Sequence, residues 1–208
     1  MKLTIFILLF IINSFLSSCS DNTKLNSEQF EIKKVFRKDK KKFESIVNLL
    51  SENPNLNTIV RRTDDKIPEL KKLPKSRDYV VSYLIRIIDK DIDIIVPREY
   101  SENENLFWQK DFSEIKGRYS NESLTNFLND NISENNFKQI IFFLIDYNLF
   151  RIKVRPNEEI IYVENEYYEG IYYDPETTEV KPDLSPNAKI EKLEDHWYYY
   201  DDNRDLKR

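Results

Sequence analysis

A helix, a turn and a strand follow one another in the stretch SENNFKQIIFFLIDYNLFRIKV, residues 133–154. Ser133 is a favourable N-cap residue, and apolar side chains then recur at helical spacing, at Phe137, Ile140, Ile141 and Leu144. Because apolar residues also occupy the other sides, at 142, 143 and 145, we expect this helix at the centre of the core. The segment Phe150 to Val154 is predicted to be a strand.

The chain after this stretch has the composition of strands. Aromatic and β-branched residues are enriched at 160–163, 167–173 and 192–200, and each segment is a predicted strand. A loop with three prolines separates the last two segments, at Pro175, Pro182 and Pro186. If 192–200 is one continuous strand, alternation places Trp197 towards the core and His196 on the wetter face.

The chain before the central helix mixes helix and strand signals. The predicted elements are a helix from Asn26 or Ser27 that ends before Pro54, strands at 57–63, 92–96 and 107–108, and a helix at 79–88. The 79–88 segment is ambiguous, since it is rich in β-branched and aromatic residues but keeps helical spacing. Together these elements predict an α+β fold, with helices packed on one face of an antiparallel β-meander.

The N-terminus has the pattern of an export signal. Lys2 precedes an apolar run from Leu3 to Ile12, which at ~1.5 Å per residue is too short to cross a bilayer core of about 30 Å. Leu16-Ser17-Ser18-Cys19 follows this run, and Cys19 is the only cysteine. The pattern resembles the lipobox of bacterial lipoproteins, in which small residues precede the cysteine that begins the mature chain.

The resemblance covers residues 1–21 and implies a lipid anchor. A diacylglycerol would be attached to the thiol of Cys19, and cleavage would fall between Ser18 and Cys19. Each buried methylene contributes only about 0.8 kcal/mol, so two or three acyl chains are needed for stable binding. The expected partner is then a membrane, either the cell membrane or an outer membrane, reached after export from the cytoplasm. An ordinary signal peptide and an uncleaved anchor are the alternatives.

With this signal, the chain divides into four predicted parts: a signal peptide at 1–18, a lipidated tether at 19–26, a single α+β domain at 27–202 and a polar tail at 203–208. The net charge of the whole chain is −5, and loss of Lys2 with the signal makes it −6. Residues 158–202 hold 14 carboxylates against three lysines, which argues against a nucleic-acid partner. Seven basic residues between 33 and 42 suit a solvated helix face or contact with anionic headgroups.

Several kinds of chemistry are excluded by composition. Two glycines cannot build a Walker loop or a dinucleotide fingerprint, and one cysteine with one histidine cannot build a Cys/His zinc site. The segment 89–100 begins like a calcium loop but has Ile94 and Tyr100 where that loop needs glycine and glutamate. We therefore expect no cofactor. A looser carboxylate site for calcium stays open, at Glu164, Glu166 or Asp174.

Tyrosine is concentrated in the C-terminal part, with eight of the 13 tyrosines after residue 158. Consecutive tyrosines on a strand point to opposite faces, so about half of them are candidates for exposure. The candidate partner surface is Tyr168, Tyr173, Tyr198 and Tyr200, which would suit a protein or a glycan. The alternative is that these tyrosines are strand formers that simply pack.

Two classes of function remain open. The first is a non-catalytic binding or accessory module displayed on a membrane. The second is a carboxylate-dependent hydrolase of glycans or peptides, which would need two carboxylates across a cleft. The sequence has no nucleophile motif, and it cannot place an acid and a nucleophile beside His196, so no catalytic residue is assigned.

Overall fold

A computed structural model describes residues 31–63, 79–155, 159–166, 168–177 and 184–202. From Ile32 onward these residues belong to one compact unit. The predicted signal peptide, Cys19, the tether, the polar tail, and Tyr167 lie outside the described residues. The start of the predicted first helix, at Asn26 or Ser27, also lies outside them.

The described chain forms an eight-stranded antiparallel sheet and a small set of helices. The helices are α1 (Ile32–Ser51), α2 (Glu104–Trp108), α3 (Leu124–Leu128) and α4 (Glu134–Asp146), with two 3₁₀ turns at Arg98–Tyr100 and Asn129–Asn131. The strands are β1 (Leu56–Thr63), β2 (Tyr79–Ile87), β3 (Lys90–Pro97), β4 (Arg151–Arg155), β5 (Ile160–Glu166), β6 (Glu169–Tyr173), β7 (Lys189–Glu194) and β8 (Trp197–Asp201). Their order in the sheet is β3-β2-β1-β4-β5-β6-β8-β7.

This order confirms an antiparallel sheet accompanied by helices but corrects the single meander. β1 pairs with both β2 and β4, and β6 pairs with β8 instead of β7. The predicted strand 192–200 is in fact the β7–β8 hairpin, because Asp195 and His196 form a turn within it. His196 has a φ of 64°, a left-handed conformation that breaks the alternation assumed for a continuous strand.

Two further element predictions were wrong. The segment 79–87 is strand β2, not a helix, because alternate side chains, at Val81, Tyr83, Ile85 and Ile87, are buried. Phe107 and Trp108 end helix α2 instead of forming a strand, and both rings are buried there.

The inner face of the sheet carries the main core. Trp197 of β8 is buried on this face, and its ring lies 4.8 Å from the ring of Phe36 and 6.3 Å from that of Phe43. Phe43 also contacts Phe143 of α4 edge to face at 4.9 Å. Ser133 caps α4 by accepting a hydrogen bond from the backbone N–H of Asn136, as its sequence predicts. These contacts join α1, α4 and β8.

The basic run of α1 has a structural partner. The ammonium of Lys33 lies 2.9 Å from Glu191 of β7, and Lys40 forms an ion pair with Glu194 at the end of the same strand. A non-helical residue, Asp39, interrupts α1 where the apolar stripe of the sequence has a gap. Part of the basic run is thus an ion-pair surface against the C-terminal hairpin.

Each edge of the sheet has a feature that limits pairing with a further strand. The outer edge of β3 accepts a hydrogen bond from the adjacent loop, since the backbone N–H of Arg118 lies 2.7 Å from the carbonyl oxygen of Asp93. At the other edge, four of the six residues of β7 are charged and exposed, namely Lys189, Glu191, Lys192 and Glu194. Exposed charges on an edge strand oppose pairing with a further strand.

Candidate binding site on the outer sheet face

The outer face of the sheet, opposite the face that holds Trp197, has two chemically different halves. Strands β5, β6 and β8 contribute a row of tyrosines, because Tyr162 is registered with Tyr172, and Tyr172 with Tyr198. Strands β2, β1 and β4 contribute cations. Lys153 of β4 is registered with Tyr162 of β5, so the cationic half and the tyrosine half meet there.

The tyrosine half is a second small core and not an exposed platform. Tyr162, Tyr172 and Tyr200 are buried together with Ile160, and three partly buried residues pack against them, Leu184, Ile190 and Tyr198. The rings of Tyr172 and Tyr198 stack at 5.0 Å with an interplanar angle of 12°. Since these rings contact one another, most of their surface is unavailable to a partner.

The structure separates the four tyrosines predicted to form a partner surface. Tyr200 is 1 % exposed, so its prediction as a surface residue was wrong. Tyr198 is half-buried on the same outer face. Tyr173 lies on the inner face, 5.3 Å from the ring of Trp197. Tyr168 is half-buried in the turn between β5 and β6 and lines an outer-face cleft.

That cleft, of about 370 Å³, lies at the boundary between the two halves. At its base Arg151 binds Glu164, with Nη2 at 2.8 Å from Oε1 and Nε on the other carboxylate oxygen. The hydroxyl of Tyr200 donates to the same Oε1 at 2.6 Å. Asp202 accepts from the backbone N–H of Ser185 at 3.2 Å and also from its hydroxyl. The two carboxylates are therefore fixed by hydrogen bonds.

This arrangement bears on the hydrolase alternative. General acid–base chemistry needs a carboxyl oxygen that can reach substrate or water. Both oxygens of Glu164 are already occupied by Arg151, and Tyr200 occupies one of them a second time. Glu164 and Asp202 are also 4 % and 1 % exposed. Glu164 thus links strands β4, β5 and β8, and Asp202 links the end of β8 to Ser185.

Ionisation of the buried phenols should be visible at alkaline pH. Burial raises the pKa of Tyr172 to about 12, and burial followed by the charge of Glu164 raises the pKa of Tyr200 well above 10.0. In the unfolded chain a tyrosine loses its proton at about pH 10, which is below the raised pKa values of Tyr172 and Tyr200 in the folded state. The stability that these two groups contribute is therefore complete below about pH 10 and is lost as the pH rises through their folded-state pKa values.

We therefore expect phenolate absorbance at 295 nm to rise in two phases, the later one coinciding with loss of circular dichroism. Tyr200→Phe should reduce the later amplitude, whereas protein in urea should titrate in a single phase. Ionisation of all 13 tyrosines before any unfolding would contradict this account.

The cationic half contains a cleft that the sequence reasoning missed. We call it the cationic cleft; it has a volume of about 350 Å³ and is lined by Thr58, Val60, Arg62, Leu84, Arg86, Phe150, Arg151 and Lys153. Arg86 and Lys153 flank Thr58 on the neighbouring strands, and Leu84 and Arg151 flank Val60. A signal was present in the sequence, since RIKVR at 151–155 places a cation at every second position and hence on one face.

His196 and the acidic residues build no metal centre within the described ranges. Nδ1 of His196 lies 3.1 Å from the carbonyl oxygen of Asp174, in the hairpin turn. Across the part of the chain that the structure describes, no group of three or more His, Cys, Asp or Glu side chains could hold a metal ion.

Comparison with protein-family models, curated proteins and solved structures gave no match.

Proposed function

We propose that this protein is a membrane-anchored lipoprotein, held by lipid on Cys19, that binds a protein or glycan partner without catalysis. The observation that supports the binding role is the asymmetry of the sheet. The described helices contact residues of the inner face, such as Trp197 and Tyr83, and none of these helices contributes a residue to the lining of the cationic cleft. A sheet face with polar clefts is suited to recognition.

The anchor is supported by the lipobox resemblance of residues 1–21. In the described residues, no helix has the length and apolarity required to cross a membrane. The binding role is preferred over hydrolysis because the carboxylates of the boundary cleft, Glu164 and Asp202, are buried and engaged in hydrogen bonds. The partner surface proposed here is the cationic half, with Tyr168 at its border, and not the buried tyrosines.

Lipidation is tested by replacing Cys19. We expect Cys19→Ala to abolish incorporation of radiolabelled palmitate and to release the protein from washed membranes, because no thiol remains for acylation. Ser20→Ala, one position later, should leave both properties unchanged. Persistent palmitate labelling of the Cys19→Ala protein would contradict the proposed anchor.

Binding is tested by a photo-crosslinking side chain placed at Thr58, in the cationic cleft, in the full-length protein in its native cells. The matched control carries the same side chain at Ser45, which is exposed on α1. We expect one defined adduct from the Thr58 position only, and its amount should saturate as expression of the protein rises. The mass of the adduct and its sensitivity to protease should show whether the bound partner is a protein or a glycan. Equal labelling from both positions, or none from Thr58, would contradict binding by this face.

A further inference from the structure

The cationic cleft has the charge pattern of an anion site, although the whole chain has a net charge of −5. Its lining contains three arginines and one lysine and no carboxylate. Arg151 is paired with Glu164, as described above, whereas nearby acids engage Arg62 and Arg86 only partly. Asp91 binds Nη2 of Arg86 at 3.3 Å, and Asp93 lies 4.0 Å from Nη1 of Arg62.

Hydrogen-bonding capacity therefore remains at the rim. A guanidinium has five N–H donors, and Arg86, which is 53 % exposed, uses one of them in its contact with Asp91. Arg62 is 34 % exposed. Guanidinium groups bind phosphate oxygens in a two-pronged geometry, and several cations around one cleft favour a dianion over a monoanion. The rim thus matches a phosphate group.

The floor and the surrounding strands indicate what carries the phosphate. Val60 and Leu84 provide an apolar floor, and the hydroxyl of Thr58 adds a polar group. Strands β2, β1 and β4 each have a hydrogen-bonded strand on both sides, so an extended peptide would find no free strand edge here. Peptides commonly bind a sheet by adding to such an edge. A saccharide needs only side-chain donors and a small apolar patch.

We propose that the cationic cleft binds a phosphate-substituted saccharide, with Arg62 and Arg86 holding the phosphate group from opposite ends of the pair formed by Val60 and Leu84 and the sugar extending from it beside Thr58. This inference rests on the proposed function in that it names the glycan chemistry of the same outer face. The cleft volume, about 350 Å³, lies in the range of small-ligand sites and suits one or two sugar rings.

Calorimetric titration of the full-length lipidated protein in neutral detergent tests the proposal. The probes are glucose 6-phosphate, inorganic phosphate, glucose, glucuronate, a poly-glutamate peptide and a single-stranded oligonucleotide. We expect glucose 6-phosphate to bind most tightly, inorganic phosphate and glucuronate at least about tenfold more weakly, and glucose not at all. The affinity should fall as salt rises, because exposed cations are screened.

The double variant Arg62→Ala/Arg86→Ala should weaken glucose 6-phosphate binding at least about tenfold, a loss of about 1.4 kcal/mol. The matched control, Arg37→Ala/Lys38→Ala, removes two exposed charges from α1 and should leave the affinity unchanged. Equal weakening by both variants, tighter binding of poly-glutamate or the oligonucleotide, or no binding of any phosphate probe would overturn the proposal. If no phosphate probe binds but the photo-crosslinking side chain at Thr58 still forms its adduct, only the proposed ligand class is wrong, and the proposed binding face is supported.

Discussion

Replacing Glu104 by alanine is expected to lower the free energy of unfolding by about 3 to 5 kcal/mol, since it leaves a buried cation without its partner. Glu104 and Arg61 are 5 % and 8 % exposed. Nε of Arg61 donates to both carboxylate oxygens of Glu104, at 3.2 and 3.1 Å, and the hydroxyl of Tyr83 donates to Oε2. Burial and the neighbouring Glu104 charge raise the pKa of Tyr83 well above its ordinary value.

Urea unfolding followed by circular dichroism measures this effect. Glu102→Ala removes the same type of side chain from an exposed position two residues earlier and should change stability by less than about 0.5 kcal/mol. The double variant Arg61→Met/Glu104→Leu should recover part of the loss, because it removes both charges and keeps the core filled but leaves the hydroxyl of Tyr83 without this acceptor. A single Glu104→Ala variant as stable as Glu102→Ala would show that Arg61 finds another partner or reaches water.

Replacing Phe43 by alanine is expected to cost a similar amount, about 3 to 5 kcal/mol, through loss of buried area and the cavity left behind. Phe43 is 1 % exposed, and its ring lies within 6.3 Å of four other rings, those of Phe36, Phe143, Tyr147 and Trp197. These rings belong to α1, to the end of α4 and to β8. The substitution should therefore loosen the attachment of α1 as well as reduce global stability.

Hydrogen exchange tests this second effect. Amides of α1 should exchange faster in Phe43→Ala by a larger factor than those of β1 and β2, whose core contacts are unchanged. Phe43→Leu should lose less stability because it leaves a smaller cavity, and Ser45→Ala, on the exposed side of α1, should be neutral. A uniform increase in exchange over the whole sheet would mean that α1 unfolds only together with the sheet.

Elements with strong local signals could be predicted from the sequence. Helix α4 combines an N-cap at Ser133 with a helical apolar stripe, and both features are intrinsic to 13 or so consecutive residues. Strands β1 and β3 also appear where the sequence predicts them. Strand β2 could not be assigned in this way, because the apolar residues of the 79–88 segment fit both the helical and the strand repeat. Its pairing with β1 and β3 decides in favour of a strand.

The candidate site depended on contacts that are distant in the sequence. The tyrosine pattern was visible, but the packing of Leu184 and Ile190 against the cluster that contains Tyr162, Tyr172 and Tyr200 was not. The cationic cleft combines Arg62, Arg86 and Arg151 from strands that become neighbours only through the order of the sheet. Likewise, nothing local distinguishes the buried Glu104 from the exposed Glu102.

If the protein is anchored to a membrane as proposed, the edges of its sheet have a further consequence. Molecules confined to a membrane meet one another far more often than the same number in solution, and exposed strand edges would then join copies into ribbons. Here the charged strand β7 and the loop bonded to β3 through Arg118 oppose such growth at both ends. Crowded copies would stay separate, each keeping its own outer face available to its ligand.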